Sequence, residues 1–375
     1  MRLKPLVLIS SLALLQGCFG GDGDDGDDTL TGQLTLTGVE GLDYRTQSQT
    51  GETDSAGRFR YYPGETISFS IGNLEIASGV PTDKVITPLQ FLPESRAALQ
   101  SAIADEQGLL SHKPVERQVI GLPALINLTR LLLTLDDNQS TSDGDGVTVT
   151  DRVISQLNEQ LNTLDAEIDF SQPVGTFALA DIPENSEDAP EYSAVNRLLR
   201  EICFYPEDDE LCQQPPTQAE IDAAPELGDG EERDPDIDYT QDLENKRDRI
   251  LDAIRDVNDI DLEDVEEYLL RELDRITTDR ANDYYLSTVT ANIPATDTDI
   301  REVFIKKIGG KPDVLQIEAK STDPSAVVIH SASAQTHSVE YFIDGAPGDE
   351  SDLIVNFRPA GDYRWLRKPL RVIIE

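Results

Sequence analysis

Hydrophobic and polar positions change period several times along the chain. In residues 30–90 they alternate. "GRFRYYPGETISFSIGNLEI" is rich in aromatic and β-branched residues, with Pro63-Gly64 as a turn, so the segment is predicted to be a β module. Residues 91–205 switch to three- and four-residue spacing in "PESRAALQSAIADEQ", "LPALINLTRLLLTLD", "DRVISQLNEQLNTLD" and "PEYSAVNRLLREICF", which predicts a helical region. The period is lost in residues 206–241, where proline, glycine and acids dominate and an acidic linker is expected. Residues 242–280 carry two apolar stripes. One runs through Leu243, Ile250, Leu251, Ile254 and Val257, the other through Leu262, Val265, Leu269, Leu273 and Ile276. They predict a helical hairpin that packs on its own domain rather than on a partner helix. Residues 281–375 return to short β segments, from "YYLSTVTANI" to "LRVIIE", separated by Gly, Pro, Asp and Ser; seven such strands predict a β-sandwich. The pattern as a whole is that of an α+β multidomain chain.

The first residues follow different rules. "MRLKPLVLISSLALLQGC" places Arg2 and Lys4 before an apolar run from Leu6 to Leu15, the layout of a secretory signal peptide over residues 1–17. The run is shorter than the roughly 20 residues a membrane span requires. Its end, Leu15-Gln16-Gly17-Cys18, resembles the bacterial lipobox. That resemblance implies that the Cys18 thiol carries diacylglycerol, that cleavage occurs before Cys18, and that the new amino group is acylated. Several acyl chains together anchor a protein stably in a lipid bilayer. Residues 18–29 then read as a flexible acidic tether: "FGGDGDDGDDTLTG" is rich in glycine and like charge. Phe19, not aspartate, follows the cysteine; by the enterobacterial sorting rule this favours the outer membrane over the inner.

Charge narrows the partners. With 72 acidic and 31 basic residues, the formal net charge is −41. This argues against nucleic acid and against attraction to anionic headgroups, and it suits a salty habitat that screens self-repulsion. Besides Cys18 the cysteines are Cys203 and Cys212, in "CFYPEDDELC". In an exported chain their short separation points to a disulfide; a redox pair is normally spaced C-x-x-C, and a metal site needs further ligands.

"GETDSAGRFRY" resembles a motif of carboxypeptidase-regulatory-like, immunoglobulin-type modules, carried here by Thr53, Asp54, Gly57 and Phe59. The wider pattern, through "VITPLQFL" and "NLTRLLLTLDDNQSTSDGDGVTV", is similar to lipoproteins and adhesin-like proteins of Gram-negative bacteria. The resemblance implies an Ig-like N-terminal module with a helical layer packed on it. It also implies a non-enzymatic accessory lipoprotein of an alkane or fatty-acid uptake pair, working beside a FadL-type outer-membrane channel. An adhesion or glycan-binding lipoprotein is the alternative, with Tyr61, Tyr62, Tyr363 and Trp365 as its contact aromatics. The basic tail around Arg358, Arg364, Arg367, Lys368 and Arg371 reads as a surface strand pair before a contact for an acidic partner. A lipid hydrolase is a third possibility.

Catalytic chemistry finds little footing. There is no G-x-S-x-G elbow, and the histidines are His112, His330 and His337 only. Zinc motifs and phosphate-cradling loops are absent. "PDVLQIEAK" imitates a PD…ExK nuclease site, but Glu318 and Lys320 alternate as on an ordinary strand. For cofactors the sequence offers only calcium, at Asp136, Asn138, Asp143 and Asp145 before the permissive Gly146. The EF-hand spacing is broken there, and the same residue types build ordinary turns.

Overall fold

The computed structural model describes residues 28–140, 144–181, 191–228 and 233–375. The lipobox, Cys18 and most of the tether lie outside them, as does Asp143. The chain is α+β, with sandwich-like antiparallel sheets near both ends.

The N-terminal strands are β1 (Leu30–Leu34), β2 (Val39–Glu40), β3 (Asp43–Arg45), β4 (Thr50–Glu52), β5 (Arg58–Tyr61), β6 (Thr66–Ile71), β7 (Leu74–Pro81) and β8 (Val85–Ile86). They form a β5-β1-β8 sheet and a β4-β3-β6-β7 sheet. In β6 the alternation seen in the sequence becomes burial of Ile67, Phe69 and Ile71. Phe69 meets Phe59 of the other sheet edge-on at 5.6 Å. The Thr53–Phe59 motif is a turn with a clear logic. Asp54 Oδ1 accepts the Ala56 and Arg58 N–H groups at 3.0 and 2.9 Å, and Thr53 Oγ1 accepts Leu42 N–H at 3.0 Å. Gly57 sits at φ +68°, where a Cβ would lie 2.5 Å from the Leu34 carbonyl oxygen.

Helices then cover this module: α1 (Pro93–Leu99), α2 (Lys113–Ile120), α3 (Pro123–Leu135), α4 (Asp151–Leu161), α5 (Val174–Phe177) and α6 (Ala194–Leu199). Between them lie a two-strand hairpin, β9 (Ile103–Ala104) and β10 (Leu110–Ser111), then β11 (Val147–Thr148), which pairs with β2 in parallel, and the β12 (Ala180–Asp181) and β13 (Glu191–Tyr192) pair. α3 is buried nearly all round, so the β module and the helices share one hydrophobic core. Among the described residues no single helix is long and apolar enough to cross a membrane; α2 and α3 reach that length and apolarity only together, across a bend of 75°.

The next segments differ from the expected linker and hairpin. The span 206–241 contains α7 (Gln218–Ala223), begun by a Thr217–Glu220 capping box and anchored by buried Ile221. α8 (Thr240–Asp252) lies against α7 and the Glu210–Cys212 turn, with Ile250 its buried residue. α9 (Leu262–Asn282) goes elsewhere: Val265, Tyr268, Leu269 and Leu273 enter the N-terminal core beside α2 and α3. α9 is the longer helix and buries Val265, Tyr268, Leu269, Leu273 and Ile276, whereas α8 buries only Ile250.

The C-terminal strands are β14 (Tyr284–Leu286), β15 (Thr290–Ile293), β16 (Arg301–Lys307), β17 (Val314–Ser321), β18 (Val327–Ser333), β19 (Ser338–Ile343), β20 (Glu350–Pro359) and β21 (Leu366–Ile374). They make two four-stranded sheets, β14-β16-β19-β18 and β15-β21-β20-β17. "YYLSTVTANI", expected as one strand, divides into β14 and β15 on opposite sheets. Val303, Ile305, Leu353, Val355, Phe357 and Leu370 fill the space between them as a second core. A register shift in β17 between Val314 and Gln316 leaves Leu315 53% exposed.

Candidate functional site

Cys203 and Cys212 form a disulfide with their Cα atoms 5.4 Å apart. The bridge lies beside α4, where Gln156 exchanges hydrogen bonds with the Cys203 backbone.

The described residues of the acidic loop after α3 are held by hydrogen bonds from within the loop and from Arg255. Asp136 is buried, its Oδ1 accepts Thr148 N–H at 2.7 Å, and burial pushes its carboxyl up to about 6. Asn138 Oδ1 accepts Ser140 N–H at 2.6 Å. The Arg255 guanidinium gathers the carbonyls of Thr134, Asp136 and Asp137. Asp145 is exposed, and Asp143 lies outside the described residues. Among the described residues no three His, Cys, Asp or Glu side chains converge as a metal-ion site.

The expected aromatic face is not assembled. Tyr61, Tyr363 and Trp365 are buried, and only Tyr62 is exposed. The Glu318 and Lys320 pair clasps the β9–β10 hairpin. Glu318 accepts Leu110 N–H and Asn356 Nδ2–H, while Lys320 donates to the Gln107 carbonyl. Arg367 completes the clasp on Asp105 at 2.6 Å.

The densest polar chemistry lies where α2, α9 and the β20–β21 turn meet. His112, the residue that caps the start of α2, and Glu116, four residues on, are both buried. The Trp365 backbone N–H donates to His112 Nδ1 at 3.0 Å, so the ring proton sits on Nε2, 3.3 Å from Thr277 Oγ1 of α9. The Tyr363 hydroxyl donates to Glu116 Oε1 at 2.8 Å across a sequence separation of 247 residues. Arg364, also buried, stands 4.0 Å from the same carboxyl oxygen and 3.4 Å from Asp362. Burial, helped by the Arg364 charge, pulls His112 down to about 3, which keeps the imidazole neutral. Burial raises Glu116, partly offset by Arg364 and the Tyr363 hydrogen bond. An acid, a base and a hydroxyl are therefore close together but sealed from solvent, and both His112 nitrogens face partners. The cluster fastens three elements to one another. Its only sequence trace was the i, i+4 pair in "HKPVERQ"; nothing local points from there to Tyr363.

No family model matches the chain, and no curated protein matches it. Among solved structures it is similar to the crystal structure of the S-layer protein SbsC domains 4 and 5, at 9% identity and a TM-score of 0.19, over 24% of this chain and 50% of that one. The chain thus spans about half the length of that structure, and a likeness of this size carries no argument about fold or function.

Proposed function

We propose that the protein is a lipid-anchored envelope lipoprotein that acts by docking rather than catalysis, assisting uptake of hydrophobic substrates such as alkanes or fatty acids beside an outer-membrane FadL-type channel. The observation that carries this is the "LALLQGC" stretch ending in Cys18, followed by an acidic glycine-rich leash. The three tests are separate. The Cys18→Ser chain takes up no labelled fatty acid in cells if the anchor reading is right; continued labelling refutes it. Cross-linking in intact cells captures a FadL-type barrel if the uptake reading is right. Clear turnover of lysolipid or ester substrates by the purified protein overturns the non-enzymatic assignment.

A second reading, glycan adhesion, is favoured by one feature. A polar depression of about 780 Å³ opens on the β4-β3-β6-β7 sheet, lined by Tyr44, Asp43, Arg45, Glu52, Ser68 and Asn73. The Tyr44 ring among hydrogen-bonding groups, with the buried Phe69 behind it, is chemistry a sugar recognises. Cross-links to surface glycan alone select this reading.

A further inference from the structure

A cleft of about 410 Å³ lies between α1, the end of β7 and the β20–β21 turn, at the seam of the two cores. Three arginines line it, Arg96, Arg358 and Arg364, together with Asp83 and Asp362. The two aspartates are already answered: Arg280 lies 3.5 Å from Asp83 and 3.7 Å from Asp362, and Arg364 lies 3.4 Å from Asp362. Two guanidiniums remain. Arg96 donates to the carbonyls of Gln90 and Phe91, at 2.6 and 3.1 Å, and meets no carboxylate among the described residues. Arg358 is half-buried, and its buried Nε has no partner there. Arg364, 4% exposed, also has a buried Nε without a hydrogen bond. A buried donor left unmade is costly, and a guanidinium is suited to carboxylate and phosphate oxygens. In a chain of net charge −41, acids are abundant enough to pair every arginine. Two guanidiniums with no carboxylate among the described residues, converging on one cleft, are therefore a specific feature. The same cleft has an apolar side: Leu99 lines it, and the β17 irregularity turns Leu315 outward into it.

We propose that this cleft binds the anionic head of a single-chain amphiphile, a carboxylate or phosphate held by Arg96 and Arg358, with its alkyl chain along Leu315 and Leu99. The inference deepens the uptake reading by naming a substrate class, and rests on that reading only for the cellular source of the ligand. The test is titration of purified full-length protein with octanoate, octyl phosphate, octanol and inorganic phosphate. Binding is followed by calorimetry and by emission of the single tryptophan, Trp365, which adjoins Arg364. Octanoate or octyl phosphate saturates a site, and the tighter of the two names the head group. Octanol and inorganic phosphate bind at least about tenfold more weakly, and R96Q and R358Q each weaken the amphiphile about tenfold. R358K retains part of the affinity, and R371Q, which removes an exposed arginine 2.7 Å from Glu350, changes nothing. Octanol binding as tightly as octanoate overturns the anion site, and inorganic phosphate matching octyl phosphate overturns the amphiphile. Binding indifferent to R358Q, or no binding at all, overturns the cleft. Failure here leaves the channel cross-link untouched, and failure of the cross-link leaves this titration untouched.

Discussion

His112→Gln tests whether the buried junction is read correctly. In the native protein the ring is neutral down to about pH 3, because burial and the Arg364 charge disfavour the imidazolium. In the unfolded chain the same ring titrates near its ordinary value of about 6.5. Between those values the unfolded state binds the extra proton, so the His112 contribution is intact above about pH 6.5 and is lost as pH falls. The slope approaches about 1.4 kcal/mol per pH unit, which makes the loss about 2 to 3 kcal/mol between about pH 7 and about pH 4.5. Two buried carboxyls oppose it. Asp136, pushed up to about 6, and Glu116, also raised, each gain relative stability as pH falls. The whole-protein profile mixes these effects with the easing of repulsion among 72 acids, so the difference between wild type and variant is the quantity to measure. Urea unfolding followed by Trp365 emission, at about pH 7 and about pH 4.5, reads it. At the higher pH the variant is less stable by about 1 to 2 kcal/mol, for the bonds it loses to Trp365 N–H and Thr277. At the lower pH that gap closes and reverses. An equal gap at both pH values refutes the claim that His112 is held neutral in the fold.

Other perturbations follow the same logic elsewhere. Opening the Cys203–Cys212 bridge, as Cys203→Ser with Cys212→Ser, destabilises the chain by about 2 to 3 kcal/mol in urea melts, the entropy of a loop of this length; native thiols that alkylate without reductant contradict the bridge. Glu272 is 1% exposed and its Oε2 accepts Leu36 and Thr37 N–H at 2.7 and 3.1 Å. Glu272→Ala costs about 2 to 4 kcal/mol because those donors lose their acceptor; a change below about 0.5 kcal/mol denies α9 its role in holding the turn after β1. Gly57→Ala costs more than about 1 kcal/mol through its positive φ and the close Leu34 carbonyl, and an unchanged melt refutes that turn geometry.

Local patterns were legible in the residues themselves. The alternation of Ile67, Phe69 and Ile71 is the buried face of β6, the stripe of α9 is buried from Val265 to Ile276 although its first residue, Leu262, is exposed, and the spacing of Cys203 and Cys212 marked a bridge. The lipobox-like end at Cys18 is readable in the sequence alone. Period tells which face of an element is buried, but not what covers it. The tertiary structure decided that α9 leaves α8 for the N-terminal core, that "YYLSTVTANI" serves two sheets, and that Tyr61, Tyr363 and Trp365 are interior. It also decided which charges find partners. Tyr363 meets Glu116 across most of the chain, and Arg280 takes the aspartates beside Arg358. Local spacing is set by bonds between neighbours in sequence, whereas these pairings depend on how two cores pack along a seam that no short stretch of residues encodes.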